Sequence, residues 1–191
     1  MLDHARVVII GGGSLGVSLL YHLSKEGWND TLLIDKGELT SGSTWHAAGL
    51  IPNFNGNMTV SKIHQASIDL YMNEIPKITG HETSFHQTGS VRVGFSDIED
   101  QWFHNLYSRS KNIPFEFDFI SKNEARELCP LMNFDVAKTI VSTPNDGHVD
   151  PTSVVMPMSQ SARANGASIS RFNRVIDINL LPSGEWEVVT E

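Results

Sequence analysis

Cysteine is almost missing from this sequence. Cys129 stands alone, which excludes an internal disulfide framework and suits a reducing compartment: the cytoplasm, with the mitochondrial matrix as the alternative. Basic residues are scarce as well, 14 Lys and Arg against 22 Asp and Glu, and the acids are scattered rather than run together. No stretch forms the electrostatic footprint of a nucleic-acid or anionic-membrane surface, so small molecules are the expected partners. Long apolar runs are lacking too; none approaches the roughly 20 residues that span a bilayer. Val7-Val8-Ile9-Ile10 has hardly any basic region ahead of it and passes straight into three glycines, the pattern of a buried strand entering a turn rather than of a secretion signal. Repeats and low-complexity segments are also missing. What is present is apolar content, 40% of 191 residues, ample for one domain or one domain with a small insertion.

The first 35 residues read as a compact βαβ unit. Arg6 to Ile10 reads as a fully buried strand, because its continuous β-branched residues, Val7 to Ile10, are those of a parallel strand covered on both faces. Leu15, Leu19 and Leu23 then recur at four-residue spacing through Ser14 to Glu26, with Gly27 as the helix-ending residue. Thr31 to Asp35 is a second buried strand. The loop from Lys36 to Asn57 is long and rich in Gly, Ser, Thr and Asn, a composition that marks a binding loop more often than an idle connection. Ser61 to Glu74 carries Ile63, Ala66 and Leu70 on one helical face, and the pattern ends near Pro76.

Beyond that point the period changes. Val91, Val93 and Phe95 alternate with Ser90, Arg92 and Gly94, which predicts a sheet with one wet face. Ser96-Asp-Ile-Glu99 and Ser121-Lys-Asn-Glu124 fit the capping box, so a short helix is expected to begin at each. Asp150-Pro151 offers a third start, followed by Val154, Val155, Met158 and Ala162 on one face. Gly166 closes that helix; Ala167 to Ser170, Arg174 to Leu180 and Glu185 to Thr190 read as strands, the last two joined by a turn at Pro182-Ser-Gly184. A strand that stops at Glu191 leaves its neighbours unpaired, so truncation of a longer chain is expected.

The chemistry concentrates near the start. Gly11-Gly12-Gly13-Ser14-Leu15-Gly16 contains Gly-x-Gly-x-x-Gly between a predicted strand and a predicted helix, the context that this motif requires. Gly11 permits the tight turn, Gly13 lets backbone approach a pyrophosphate, Gly16 allows close helix packing, and the free amides at the helix start receive negative charge. Asp35 stands 24 positions after Gly11, where an acid accepts hydrogen bonds from ribose hydroxyls and argues against a 2′-phosphate. NAD and FAD both remain open on these residues. Ser41-Gly42-Ser43-Thr44-Trp45-His46-Ala47-Ala48-Gly49-Leu50 adds hydroxyls, small residues and one imidazole able to act as a nucleophile or a hydrogen-bonding group.

Three segments, Val8-Ile-Ile-Gly-Gly-Gly13, Leu33-Ile-Asp-Lys through Ser-Thr-Trp-His-Ala-Ala-Gly-Leu50, and Asp146-Gly-His-Val-Asp-Pro151, resemble the dimethylglycine and sarcosine dehydrogenase group of the D-amino-acid-oxidase-like FAD oxidoreductases. The resemblance implies FAD, bonded covalently through its 8α-methyl carbon to the histidine at position 46. It implies further flavin contacts at Ser14 and Leu15, at Asp35 and Lys36, along Gly42 to Leu50 and, by a backbone contact, near Val175. Asp35 replaces the glutamate common in that family, which keeps the carboxylate but shortens its reach. The implied activity is oxidation of an N-methyl amino acid such as dimethylglycine or sarcosine by hydride transfer to flavin, with an electron-transfer flavoprotein or oxygen as acceptor. The resemblance covers only the front part of a family member. The rival readings are a non-catalytic relative, a truncated FAD-binding fragment without turnover, and an NAD-dependent dehydrogenase, which gives no reason for the Thr-Trp-His-Ala-Ala-Gly segment.

The expected fold is therefore α/β: a Rossmann-like parallel FAD-binding sheet formed by residues 1–82 and 140–191, with part of an antiparallel substrate domain, residues 83–139, inserted between them. No catalytic residue is assigned. His64, His81, His86, His104 and His148 lack the spacing of a ligand set, so no metal site is expected. Arg92 reads as a solvated strand-face residue rather than a clamp on a substrate carboxylate, and Cys129, with no evident base beside it, as structural.

Overall fold

The computed structural model describes residues 4–53, 55–80, 84–111 and 116–191. In chain order the elements are β1 (Val7–Ile10), α1 (Ser14–Lys25), β2 (Thr31–Ile34), β3 (Leu50–Ile51), α2 (Met58–Asp69), a π-helical turn (Leu70–Glu74), α3 (Ile75–Thr79), β4 (Ser90–Gly94), α4 (Asp97–Ser110), β5 (Asp118–Phe119), α5 (Lys122–Leu128), β6 (Thr139–Thr143), β7 (Gly147–His148), α6 (Pro151–Ala164), β8 (Ser168–Ser170), β9 (Val175–Leu180) and β10 (Trp186–Thr190). The fold is α/β, and the chain divides into two compact units. One comprises Met1–Gly49, Ile75–Thr83 and Asp150–Glu191; the other comprises Leu50–Glu74 and Ser84–Val149.

The first unit is built on a parallel sheet in the order β1-β2-β8. Every residue of β2 is buried, which is why its sequence shows no alternation. Helices α1 and α6 pack against each other in this unit. The buried face of α1 is Val17, Leu20, Tyr21 and Ser24, not the expected Leu15, Leu19 and Leu23 row: Leu15 is 88% exposed and Leu19 49%. The i, i+3, i+4, i+7 set keeps one heading at 3.6 residues per turn, whereas successive steps of four drift around the helix. Gly27, with φ +83°, ends α1 as expected; Trp28 N–H donates to Leu23 O and Gly27 N–H to Ser24 O, the paired bonds of a Schellman turn. Gly166 ends α6 the same way, through Ala167 N–H to Ala162 O and Gly166 N–H to Arg163 O. Asp150 caps α6 through Thr152 N–H, with Pro151 in the first turn. The antiparallel β9–β10 hairpin and the parallel sheet line a cleft of about 720 Å³ that includes Val8, Ile10, Leu32, Ile34, Ile178 and Trp186.

The second unit holds an antiparallel sheet in the order β4-β6-β5. Strand β6, for which the sequence reading names no strand, is its centre. Val141 packs into a cluster with Phe103, Leu106 and Phe117, while its neighbour Ile140 packs into another with Ala125, Phe134 and Ala137. A strand buried on both faces loses the alternation that would reveal it. Both capping boxes form, at Ser96 with Glu99 and at Ser121 with Glu124. Helix α2 departs from expectation: it starts at Met58, capped by the Asn57 side chain, and in chain order the π-helical turn and then α3, an element of the first unit, follow it, so helical residues extend past Pro76. Pro76 falls in the first turn of α3, where a missing N–H costs least. Ser61 and Ile68, rather than Ile63, are the buried residues of α2; Ile63 is exposed. Two-residue strands β3 and β7 pair antiparallel, and an isolated bridge joins His148 to His86.

Candidate functional site

At the carboxyl end of β1, Gly11 N–H donates to Ile34 O at 2.8 Å, and the chain turns with Gly11 at φ +109°, a conformation that glycine adopts without strain. A Cβ on Gly16 would run into the Gly11 carbonyl, so only glycine lets the first turn of α1 sit this close to the loop. Gly12 is buried and donates to Asp35 Oδ2 at 2.5 Å. Gly13 is the N-cap of α1 and supplies no side chain; the cap comes instead from Thr44, whose hydroxyl accepts from Ser14 N–H at 2.9 Å. Among the described residues the Leu15 and Gly16 amides of that first turn have no hydrogen-bond partner. Positive dipole and open amides at one helix start suit an anion such as a pyrophosphate.

Asp35 follows β2. Its Oδ1 accepts from Gly37 N–H at 2.7 Å and its Oδ2 from Gly12 N–H, so it fastens the glycine turn to the next loop. Each carboxylate oxygen has a further lone pair, and Asp35 is only partly buried. Lys36 beside it is exposed.

The loop with the Gly42 to Leu50 segment returns to the same place. Thr40 N–H donates to Gly12 O at 2.9 Å, and the Thr40 and Thr152 hydroxyls approach to 3.4 Å. Thr44 is buried, while Gly42, Ser43, Trp45, His46, Ala47 and Ala48 are exposed and Gly49 is buried. His46 Nδ1 lies 2.9 Å from Gly42 O. A carbonyl only accepts, so Nδ1 carries the proton in the neutral ring and Nε2 keeps its lone pair. The Trp45 indole lies against this imidazole, centroids 4.3 Å apart. Leu50, 73% exposed, falls in the second unit, where it pairs with His148. Val175 opens β9 and is half-buried. The structure therefore brings the glycine turn, Asp35 and Thr44 into direct contact across 30 residues of sequence.

A different polar centre occupies the second unit. Asp146, 3% exposed, accepts from Asn53 N–H at 2.7 Å, Ser90 Oγ at 2.6 Å, Thr143 Oγ1 at 2.7 Å and Arg92 Nη2 at 3.1 Å. Burial pushes its carboxyl up, but the hydrogen bonds from Ser90, Thr143, the Asn53 amide and Arg92 outweigh burial and hold it below the usual range. Arg92 is accordingly not the solvated strand-face residue that alternation suggested: its side chain is about a third exposed and ion-paired with Asp146. Asp146 opens the Asp146 to Pro151 segment of the resemblance, which gives it no role, and its place just before Gly147 is its only local signal.

The histidines disperse. His104 lies 3.6 Å from Asp100 and stacks on Phe119, His86 and His148 bring their ring centroids to 5.1 Å, and His81 lies outside the described residues. Among the described residues no group of three or more His, Cys, Asp or Glu is placed to hold a metal, and no helix is long and apolar enough to cross a membrane. Cys129 packs half-buried against the Phe134 cluster.

The family described as FAD dependent oxidoreductase matches residues 6–191. Dimethylglycine dehydrogenase, mitochondrial, of Mus musculus is 40% identical over 188 residues, 98% of this chain and 22% of that protein. Sarcosine dehydrogenase, mitochondrial, of Homo sapiens is 33% identical over 165 residues, 86% of this chain and 18% of that protein. The chain thus spans about a fifth of the length of these relatives. Among solved structures, L-proline dehydrogenase from P. horikoshii superposes with a TM-score of 0.89 at 24% identity, over 100% of this chain and 50% of that one, a likeness of fold. With the glycine turn, the carboxylate after β2 and the returning loop assembled as described, the chain belongs to the FAD-dependent oxidoreductase family.

Proposed function

We propose that this chain supplies the dinucleotide end of an enzyme that oxidises an N-methyl amino acid such as dimethylglycine or sarcosine. The observation that carries this reading is the joint of three segments at the start of α1: open amides at Leu15 and Gly16, the Asp35 carboxylate anchored on Gly12, and the Thr44 cap that brings the His46 loop alongside. When bound, FAD supplies the hydride acceptor, and the redox chemistry is the cofactor's own.

The chain's own residues bind and orient. The first turn of α1 takes the pyrophosphate, and the remaining lone pairs of Asp35 take the ribose hydroxyls. Gly42 O accepts from His46 Nδ1–H, which leaves the Nε2 lone pair as the group that would hold the flavin covalently. An electron-transfer flavoprotein or oxygen is the electron acceptor that such an enzyme would use. The single cysteine suits a reducing compartment, the cytoplasm or the mitochondrial matrix, and the mitochondrial location of both relatives favours the mitochondrion.

The test is an absorbance spectrum of the protein before and after acid precipitation. Yellow colour that stays with the pellet, and moves to the supernatant in His46→Ala, is the expected result. Colour that stays in the pellet of His46→Ala overturns the attachment site. No flavin at all moves weight to an NAD enzyme or a non-catalytic relative.

A further inference from the structure

The three parallel strands end side by side, β1 at Ile10, β2 at Ile34 and β8 at Ser170, and Gly11, Asp35 and Arg171 are the residues that follow them. Ligands of open parallel sheets lie outside these carboxyl ends. On the reading above, on which this inference rests, the first turn of α1 after β1 would hold the pyrophosphate and Asp35 after β2 the ribose. Strand β8 is the next one, paired in parallel with β2 with Ile34 opposite Ser170, so the turn after it, one strand spacing of about 4.8 Å further on, is where the base would come.

Phe172 stands there. It is 69% exposed and has φ +53°, a backbone conformation that a non-glycine residue adopts at a cost. Among the described residues only Thr40 shares a positive φ without being glycine, and Thr40 is buried and held by its bond to Gly12 O. Phe172 has no such burial. Its turn is nevertheless pinned from both sides to the segment that carries Asp35: Arg171 pairs with Glu38 at 2.6 Å, Phe172 N–H reaches Gly37 O at 3.5 Å, and the Asn173 amide donates to Asp35 O at 2.9 Å. Asn173 itself is buried. Among the described residues the Phe172 ring pairs with no other ring and no cation. A rigid turn thus presents a bare aromatic face to water beside the ribose acid, and every nucleobase offers a π-face to stack on it.

The geometry points to Phe172 as the stacking platform for the adenine ring of the dinucleotide, and so as a determinant of preference for adenine-bearing cofactors.

Calorimetric titration of ADP and, separately, of FMN into flavin-free protein in a His46→Ala background tests this, because FMN lacks the adenine. Phe172→Ala is expected to weaken ADP binding about tenfold, within the range for loss of one base–aromatic stack, and to leave FMN binding within about twofold. Phe172→Tyr keeps a ring and retains ADP affinity. Phe172→Gly removes ring and strain together, so ADP binding falls as in Phe172→Ala while Tm rises. Unchanged ADP affinity in both Phe172→Ala and Phe172→Gly overturns the inference and leaves the cofactor reading standing. Failure of ADP to bind the Phe172 parent overturns the cofactor reading, and this inference with it.

Discussion

Two carboxylates, Asp35 and Asp146, anchor the two units, and they differ in how completely they are satisfied. Asp146 is buried and accepts from four groups drawn from the segment after β3, from β4 and from the end of β6. Asp35 is partly exposed and accepts from two backbone amides. A carboxylate saturated out of reach of water holds a fold together, because nothing new can bind it without displacing a partner. One that is partly exposed, with lone pairs left over, is a place where a ligand completes the set. The same contrast separates the helix starts. The capping boxes at Ser96 and Ser121 are closed by their own glutamates, whereas the start of α1 is capped once, by Thr44, and otherwise left open.

Substitutions that empty each centre sharpen this comparison. Asp146→Ala strands Ser90, Thr143, the Asn53 amide and Arg92 together. It is expected to lower unfolding stability by about 4 kcal/mol, the range for breaking a buried charge pair, as read by denaturant titration. A loss below about 1 kcal/mol would remove Asp146 from its structural role. Acid exposes the same group. Its folded pKa is lowered, so its stabilisation is present above the unfolded carboxyl pKa of about 4 and is lost as pH falls through the folded value. Glu99, held low chiefly by the Phe95 amide, and Glu124, held low chiefly by the Ser121 amide, act in the same direction. The expected signature is therefore a difference: the stability gap between wild type and Asp146→Ala narrows as pH drops below 4. A gap independent of pH across that window would contradict the linkage.

Thr44→Val is the smallest of these changes in stability and the most telling for function. Loss of one N-cap costs about 1 kcal/mol. The larger consequence is expected in flavin affinity, since the His46 loop loses its tie to Ser14. Equal flavin binding in wild type and Thr44→Val, measured by equilibrium dialysis, would break the proposed link between the glycine turn and the loop.

Much of this was legible beforehand, and the reasons are local. Gly27 and Gly166 stop helices because the turn chemistry needs a positive φ; Ser96, Ser121 and Asp150 start them because a short oxygen can reach the first amides. Strands β1 and β2 show as unbroken apolar runs flanking a glycine turn. What escaped was decided by packing at a distance. The face of α1 turned on which residues met neighbouring elements, and β6 stayed hidden because both of its faces are covered. Arg92 read as solvated because its partner lies 54 residues away.

The sequence by itself determined the glycine turn, the acid after β2, the caps and the specific loop around His46, since each depends on the chemistry of a few neighbouring residues. Only the tertiary structure decided that Thr44 caps α1, that Asp146 gathers three separate segments, and that Phe172 faces water at the end of β8. Those relations join residues far apart in the chain. No local pattern encodes them, because burial and hydrogen-bond partnership are properties of the assembled sheet and its neighbours.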